Sequence, residues 1–278
     1  MPSRSYFQQK EDRAVPGPGD HRMNVLVIGG SGYVASLILP VLLQRHNLRI
    51  FDLQPPPLWQ MDTENRDQDP SERNVEFHQG NVCDAAALAS ASKNMDALLY
   101  MAMGSKDWQA DDITISSFDV NVKGIYLALE AAHGAGISHA VYTSSMSVYD
   151  GDLYCRHFPD EEIPSDSRHI YGFTKRLGEE CCRNAARAWS MTVNALRLCH
   201  PMPEERWLRE TRLGTPTIAT TADDVARALL AALDYRGPGF EAFMISGDYE
   251  QKHMNMSKAR RLLNWEPLAR PLETPTNP

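Results

Sequence analysis

A doubly wound, parallel α/β sheet is the fold class this sequence predicts, on three observations. Short β-branched or aliphatic runs alternate with helical patterns from residue 24 onward. The stretches between runs are long enough for right-handed helical crossovers, which parallel strands need and hairpins do not. The first run also leads directly into a glycine cluster, "GGSG" at 29 to 32, and then into a helical pattern.

Taken in order, the runs are "NVLVI" (24 to 28), "LRIFD" (48 to 52), "VEFH" (75 to 78), "DALLYMA" (96 to 102), "HAVYTSS" (139 to 145) and "TVNALRL" (192 to 198). Each is short and contains β-branched, aliphatic or aromatic residues that suit a buried pleated surface. Helices are expected over 32 to 45, 84 to 93, 113 to 134 and 171 to 189, with a further apolar periodicity at 222 to 233. Residues 1 to 22 are polar, contain "PGPG" and lack apolar periodicity, so a disordered tail is expected there. Residues 54 to 74 are proline-rich, then strongly polar, and read as a long exposed loop. The expected organisation is a Rossmann-type domain over 23 to 200, with a small C-terminal substrate-binding portion, 201 to 278, interleaved with it.

Composition narrows the function. The chain of 278 residues carries a net charge of -8 with 42% hydrophobic residues, enough for a full core but without a basic field for nucleic acid or anionic lipid. No run approaches the ~20 apolar residues of a membrane span, and no secretory signal is evident, so a cytoplasmic protein without nucleic-acid or membrane partners is expected. Five cysteines form an odd set without CxxC pairs and read as reduced packing residues. No His/Cys/carboxylate grouping has ligand spacing, so no metal is assigned.

Two local patterns carry chemistry. In "VLVIGGSGYVAS" glycine lets backbone approach a pyrophosphate at a helix N-terminus, and Asp52 ends the second strand, a little over ~20 residues downstream, where a carboxylate accepts from ribose hydroxyls. That acid opposes a 2′-phosphate, and the turn has no Arg or Lys to neutralise one, so NAD is favoured over NADP. In "HIYGFTKRLGEE" (169 to 180), Tyr171 and Lys175 lie one helical turn apart on one face. The spacing alone fits equally a half-buried ring beside a snorkelling lysine.

With these motifs in sequence, the chain resembles the extended short-chain dehydrogenase/reductase family, which includes NAD-dependent sugar epimerases and dehydratases. The resemblance runs from Asn24 to about Pro271 through "GGSGYVA", Asp52, "GNVCD" (80 to 84), "YMAMGS" (100 to 105), "NVKGIYLALEAA" (121 to 132), "VYTSSMSVYD" (141 to 150), "YGFTK" (171 to 175), "ALRLCHP" (195 to 201) and "ADDVARALLAAL" (222 to 233). It implies a cofactor site of Gly29, Ser31, Gly32, Tyr33, Val34, Asp52, Leu53, Asn81, Val82, Met101, Ala102 and Met103 with Tyr171 and Lys175. It also implies Ser145, Tyr171 and Lys175 as catalytic residues, with Asn121 in support. Moving a phenol from pKa ~10 toward ~7 needs about 4 kcal/mol, which the lysine and an oxidised nicotinamide ring would supply. Ser145 would orient the reacting oxygen or, on the plainer reading, cap a turn. Asn121 would support the site or bond locally within its helix.

Departures from the family pattern set the expected substrate. Where 4,6-dehydratases carry Asp-Glu after the serine, this chain has Met146 and Ser147, and the arginine stretch of sugar-nucleotide epimerases is replaced by "PTIATTADD". The compact layout is similar to the uronate dehydrogenase branch, which implies a small sugar or sugar acid as substrate and places Ser105, Ser145, Ser147, His200 and Arg209 at the substrate. Ser147 stands where that branch has histidine. His200 either contacts substrate or caps its strand, and Arg209 either binds a carboxylate or belongs to a solvated face with Arg206 and Arg212. The alternatives are a sugar-nucleotide epimerase that retains its cofactor and a non-catalytic NAD-binding redox sensor. No GxSxG elbow supports a serine hydrolase. By the same resemblance, the helices at 113 to 134 and 171 to 189 would pair two copies as a homodimer.

Overall fold

The computed structural model describes residues 22–56, 74–105, 107, 109–212 and 217–271. All of the expected tail except Arg22, and most of the 54 to 74 loop, therefore lie outside the described residues. Strands β1 (Asn24–Ile28), β2 (Asn47–Asp52), β3 (Val75–Gln79), β4 (Ala97–Tyr100), β5 (His139–Ser145), β6 (Thr192–Leu198) and β7 (Phe240–Ile245) form one sheet in the order β3-β2-β1-β4-β5-β6-β7. Every neighbouring pair is parallel. The winding direction reverses between β1 and β4, which opens a crevice at the carboxyl ends of those strands.

Helices cover both faces: α1 (Tyr33–Arg45), α2 (Ala85–Ala91), α3 (Ile113–Phe118), α4 (Ile125–Gly134), α5 (Ile170–Trp189), α6 (Glu204–Arg212), α7 (Ala222–Asp234) and α8 (Ser257–Leu263). Alternation along β1 sorts the core, because successive side chains leave a strand on opposite faces. Val25 and Val27 join Ile38, Leu39 and Leu42 of α1 and Val225 and Leu229 of α7. Leu26 and Ile28 join Ile125 and Leu129 of α4 and Cys182 and Ala185 of α5. Helix starts follow local chemistry: Asp84 accepts from the backbone N–H of Ala86 and Ala87 to open α2, and Thr221 accepts from that of Asp224 to open α7.

The helix expected over 113 to 134 is interrupted. Between α3 and α4, residues Asp119–Gly124 form a π-helical segment. Tyr100, at the end of β4, donates its hydroxyl to the Val120 carbonyl at 2.5 Å, and a Cβ on Gly124 would stand 2.7 Å from that same phenolic oxygen. A side chain inserted into a helical ladder produces this kind of bulge. Two elements were not anticipated from sequence: β7, which extends the sheet beside β6, and α8.

Candidate active site

The end of β1 comes so close to the chain after β4 that a side chain would not fit. Gly29 has φ +86, and a Cβ there would lie 2.3 Å from the Ala102 nitrogen. Gly32 then opens α1. At the end of β2 the Asp52 carboxylate accepts from the Ser31 N–H at 2.9 Å and the Leu53 N–H at 2.7 Å, which ties the acid to the glycine turn. A cavity of about 610 Å³ lies over this crevice. Its walls include Gly29, Ser31, Gly32, Tyr33, Val34, Asp52, Leu53, Asn81, Val82, Met101, Ala102 and Met103, and none of its described lining residues is Lys or Arg.

A smaller cavity of about 210 Å³ adjoins it, sharing Val34, Met101 and Met103, and its walls include Ser145, Met146, Ser147, Tyr171, Lys175 and His200. Ser145 ends β5, and its hydroxyl accepts from the Ser147 N–H at 3.1 Å while also bonding Tyr171. The turn-capping and site-facing readings of this serine thus coexist. Helix α5 approaches through Gly172, where a Cβ would fall 1.8 Å from the Ser147 carbonyl oxygen. Lys175 donates from Nζ to the Thr143 carbonyl at 2.8 Å. Its Nζ sits 6.0 Å from the centroid of the Tyr171 ring and 5.0 Å from that of Tyr142.

Electrostatics follow from this burial. The Tyr171 phenol is raised above its ordinary pKa by burial, partly countered by the Ser145 hydrogen bond. The protein groups alone therefore keep the phenol neutral. Burial brings the Lys175 pKa down to about 8, with Cys182 and Glu179 working in the other direction.

Other residues named from sequence lie elsewhere. Asn121, in the π segment, is buried, donates to Thr174 Oγ1 at 2.9 Å and accepts from the Gly104 N–H at 3.2 Å. It lines neither cavity and ties the loop after β4 to α5. Ser105 is used in its own loop, where its hydroxyl accepts from the Asp107 N–H at 3.1 Å. Arg209 is exposed and lines neither of these cavities, whereas Arg206 lines a third cavity of about 370 Å³ with Tyr33, Tyr154, His200 and Glu210. The helical phase explains the difference. Trp207 is buried and donates Nε1–H to the Ala219 carbonyl at 2.8 Å, so a residue two positions later, about 200° around the helix, faces away. His200, with φ +41, lines both the small and the third cavity.

Beneath the site runs a buried ionic network that the sequence reading did not single out. Arg197 on β6 pairs with Glu179 on α5, Nη2 to Oε2 at 2.7 Å, with the two side chains 1% and 2% exposed. Ser144 donates to Glu179 at 2.6 Å, and Arg197 also donates to the Tyr149 hydroxyl and the Glu161 carbonyl. Its signals in the sequence were a charged residue within an otherwise apolar strand run and a glutamate one turn beyond Lys175. Among the described residues there is no cluster of metal-ligating side chains, and no helix is long and apolar enough to cross a membrane.

Comparison with known proteins places this geometry among relatives. The model of the NAD dependent epimerase/dehydratase family matches residues 25–213. N-acetyl-alpha-D-glucosaminyl-diphospho-ditrans,octacis-undecaprenol 4-epimerase of Escherichia coli O157:H7 is 31% identical over 163 residues, 58% of this chain and 43% of that protein. The chain thus aligns with less than half the length of this curated relative. Uronate dehydrogenase from Agrobacterium tumefaciens superposes with a TM-score of 0.69 at 19% identity, covering 92% of each chain. MoeE5 in complex with UDP-glucose and NAD superposes with a TM-score of 0.70 at 19% identity, covering 89% of this chain and 94% of that one. At such identities the structures share the fold.

Proposed function

We propose, on the premise that the chain belongs to the NAD dependent epimerase/dehydratase family, that it is an NAD-dependent oxidoreductase acting on a small sugar or sugar acid. The observation that carries this reading is the juxtaposition of Ser145, Tyr171 and Lys175 around a cavity of about 210 Å³ that adjoins one of about 610 Å³. The larger cavity fits a dinucleotide: Gly29 leaves room where a Cβ would collide, and Asp52 presents a carboxylate at the end of β2. Gly29, Gly32 and Asp52 would hold the pyrophosphate and adenosine ribose, and Lys175 the nicotinamide ribose. Bound there, NAD supplies a hydride acceptor and a positive ring beside Tyr171.

As a phenolate, Tyr171 would accept the proton of the substrate hydroxyl, and Ser145 would orient that oxygen by hydrogen bonding. The Lys175 ammonium would stabilise the phenolate form of Tyr171 that this transfer requires, and the transfer leaves Tyr171 as the neutral phenol. His200 and Arg206, which line the third cavity, would supply donors for the far end of a sugar acid. The Met146–Ser147 sequence supports oxidation over dehydration, because it offers no carboxylate for water elimination. A homodimer belongs to the same reading, supported by exposed Ile115, Phe118 and Tyr126 along the interrupted 113 to 134 stretch. A cytoplasmic setting agrees with five cysteines that are all free.

The deciding experiment incubates the protein with NAD and a panel of free uronates, aldoses and nucleotide sugars and follows NADH. Net NADH from a small sugar is the expected outcome. Interconversion of a nucleotide sugar without net NADH would establish the epimerase alternative instead. With a substrate in hand, Tyr171→Phe is expected to lower turnover by at least ~10² while NAD affinity stays nearly constant.

A further inference from the structure

Lys175 holds an ammonium group in an interior where only 2% of the residue reaches solvent. Burial of a lone ammonium normally drives it neutral, so a charged lysine needs nearby groups that replace water. One is explicit: the Thr143 carbonyl accepts from Nζ at 2.8 Å. From its own helix Glu179 also favours the charged form and is itself shared with Arg197 of β6, while burial keeps the neighbouring Cys182 thiol neutral. On the β5 side, adjacent to Thr143, the ring of Tyr142 stands 5.0 Å from Nζ, nearer than the Tyr171 ring at 6.0 Å.

The Tyr142 ring is fixed in that position. It is fully buried, its hydroxyl lies 3.5 Å from the Lys175 carbonyl, and a Cβ on Gly178 would fall 2.3 Å from the same hydroxyl. Only a glycine one turn beyond Thr174 leaves room for the phenol end, which in turn sets the ring face toward the ammonium. Aromatic faces attract cations through their quadrupole, most strongly where water is excluded.

We propose that Tyr142 is a positioning residue for Lys175: its ring face, together with the Thr143 carbonyl, keeps the buried ammonium charged and at a fixed height below Tyr171. This rests on the reading of Tyr171 and Lys175 as the proton-handling pair. The ring acts through its π face, while its hydroxyl serves packing. Removing the face disfavours the ammonium and lowers the pH at which Lys175 loses its proton, whereas removing only the hydroxyl leaves that pH almost unchanged.

The test reads Lys175 directly, without substrate or NAD. The full chain is labelled with 13Cε-lysine, the Lys175 resonance is assigned by its loss in Lys175→Arg, and its midpoint is followed as pH is raised. Tyr142→Phe is expected to keep the midpoint within about 0.3 pH unit, and phenylalanines of increasing fluorination at position 142 to lower it stepwise, by roughly one unit for the most fluorinated ring. Tyr142→Leu is expected to lower it at least as far. Should the leucine variant fail to fold, the fluorinated series still decides, since it preserves the shape of the ring. A midpoint indifferent to fluorination overturns the proposal, as does a Tyr142→Phe shift as large as that of the fluorinated rings. Because no turnover is measured, failure to find an oxidised substrate would sink the oxidoreductase reading and leave this result standing.

Discussion

Gly172 offers the sharpest perturbation of the site, because it adjoins Tyr171 and is the point where α5 meets the turn after β5. In Gly172→Ala the added Cβ would start 1.8 Å from the Ser147 carbonyl oxygen, 2.3 Å from Ser167 Oγ and 2.8 Å from the Ser147 carbonyl carbon. Real Cβ contacts do not fall below 3.0 Å, so the helix and the Ser145–Ser147 turn have to separate by more than about 1 Å. Ser167 Oγ can rotate away, but the Ser147 carbonyl is backbone and cannot. That separation acts on the Ser145–Tyr171 hydrogen bond, and misplacement on the order of 1 Å in a catalytic array costs about 10²-fold in rate. Overpacking of this kind also costs about 1 to 3 kcal/mol of stability. The assay is kcat for NADH formation on a confirmed substrate, with urea denaturation in parallel. Gly134→Ala is the control: nothing lies within 4 Å of its Cβ position, so the rate should match the parent within experimental scatter, and stability should stay the same or rise by up to about 1 kcal/mol because Gly134 ends α4. A Gly172→Ala protein with a rate within about threefold of the parent would refute the idea that this close approach sets the geometry of the pair.

Three further expectations can be checked independently. Replacing Asp52 by Ala should weaken NAD by about 1.5 to 3 kcal/mol and narrow its advantage over NADP, as measured by fluorescence titration of both cofactors; an unchanged preference would show that another residue discriminates. Arg206→Leu should raise KM for a sugar-acid substrate by about tenfold or more, while Arg209→Leu leaves it within about twofold; the reverse ranking would restore Arg209 as the contact. His139, at about 3, titrates well below its ordinary 6.5 because burial excludes the charged form, with Arg236 adding to the effect. The folded state therefore binds fewer protons than the unfolded chain between those values, so this stability is complete above pH 6.5 and is lost as pH falls toward 3. His139→Gln should flatten the denaturation free energy against pH between 4 and 6 by roughly 1.4 kcal/mol per unit relative to the parent. Equal slopes would place the acid sensitivity elsewhere.

Much of the frame was legible because parallel strands buried on both faces write themselves as apolar runs, as "NVLVI" and "DALLYMA" do. The crevice at the ends of β1 and β4 was legible for a related reason: Gly29 meets a demand of close backbone approach that few residue types satisfy. Long-range insertions were not legible. The π segment depends on Tyr100, 20 residues before Val120, reaching into a helical ladder, and no local pattern encodes that contact. The choice between Arg206 and Arg209 depends on which side of α6 Trp207 buries, which is decided by the Ala219 carbonyl on a later segment. The Glu179–Arg197 pair left visible traces, but a charge inside a strand run announces a partner without naming it.

The all-parallel sheet also governs how this chain can fold. No neighbouring strands are joined by a hairpin, so each pairing must wait for an intervening crossover, and loop-closure entropy opposes every one of them before contacts form. Folding on a scale of milliseconds or longer is the natural consequence. During synthesis at about 5 to 20 residues per second, β7 emerges last of the strands. Its Met244 N–H is the donor that holds the Glu161 carboxylate, and the Glu161 backbone carbonyl in turn receives Arg197. The scaffold under Lys175 therefore becomes complete only when a strand made long after "YGFTK" has docked, so a nascent chain carries Tyr171 and Lys175 well before it carries the framework that holds them in place.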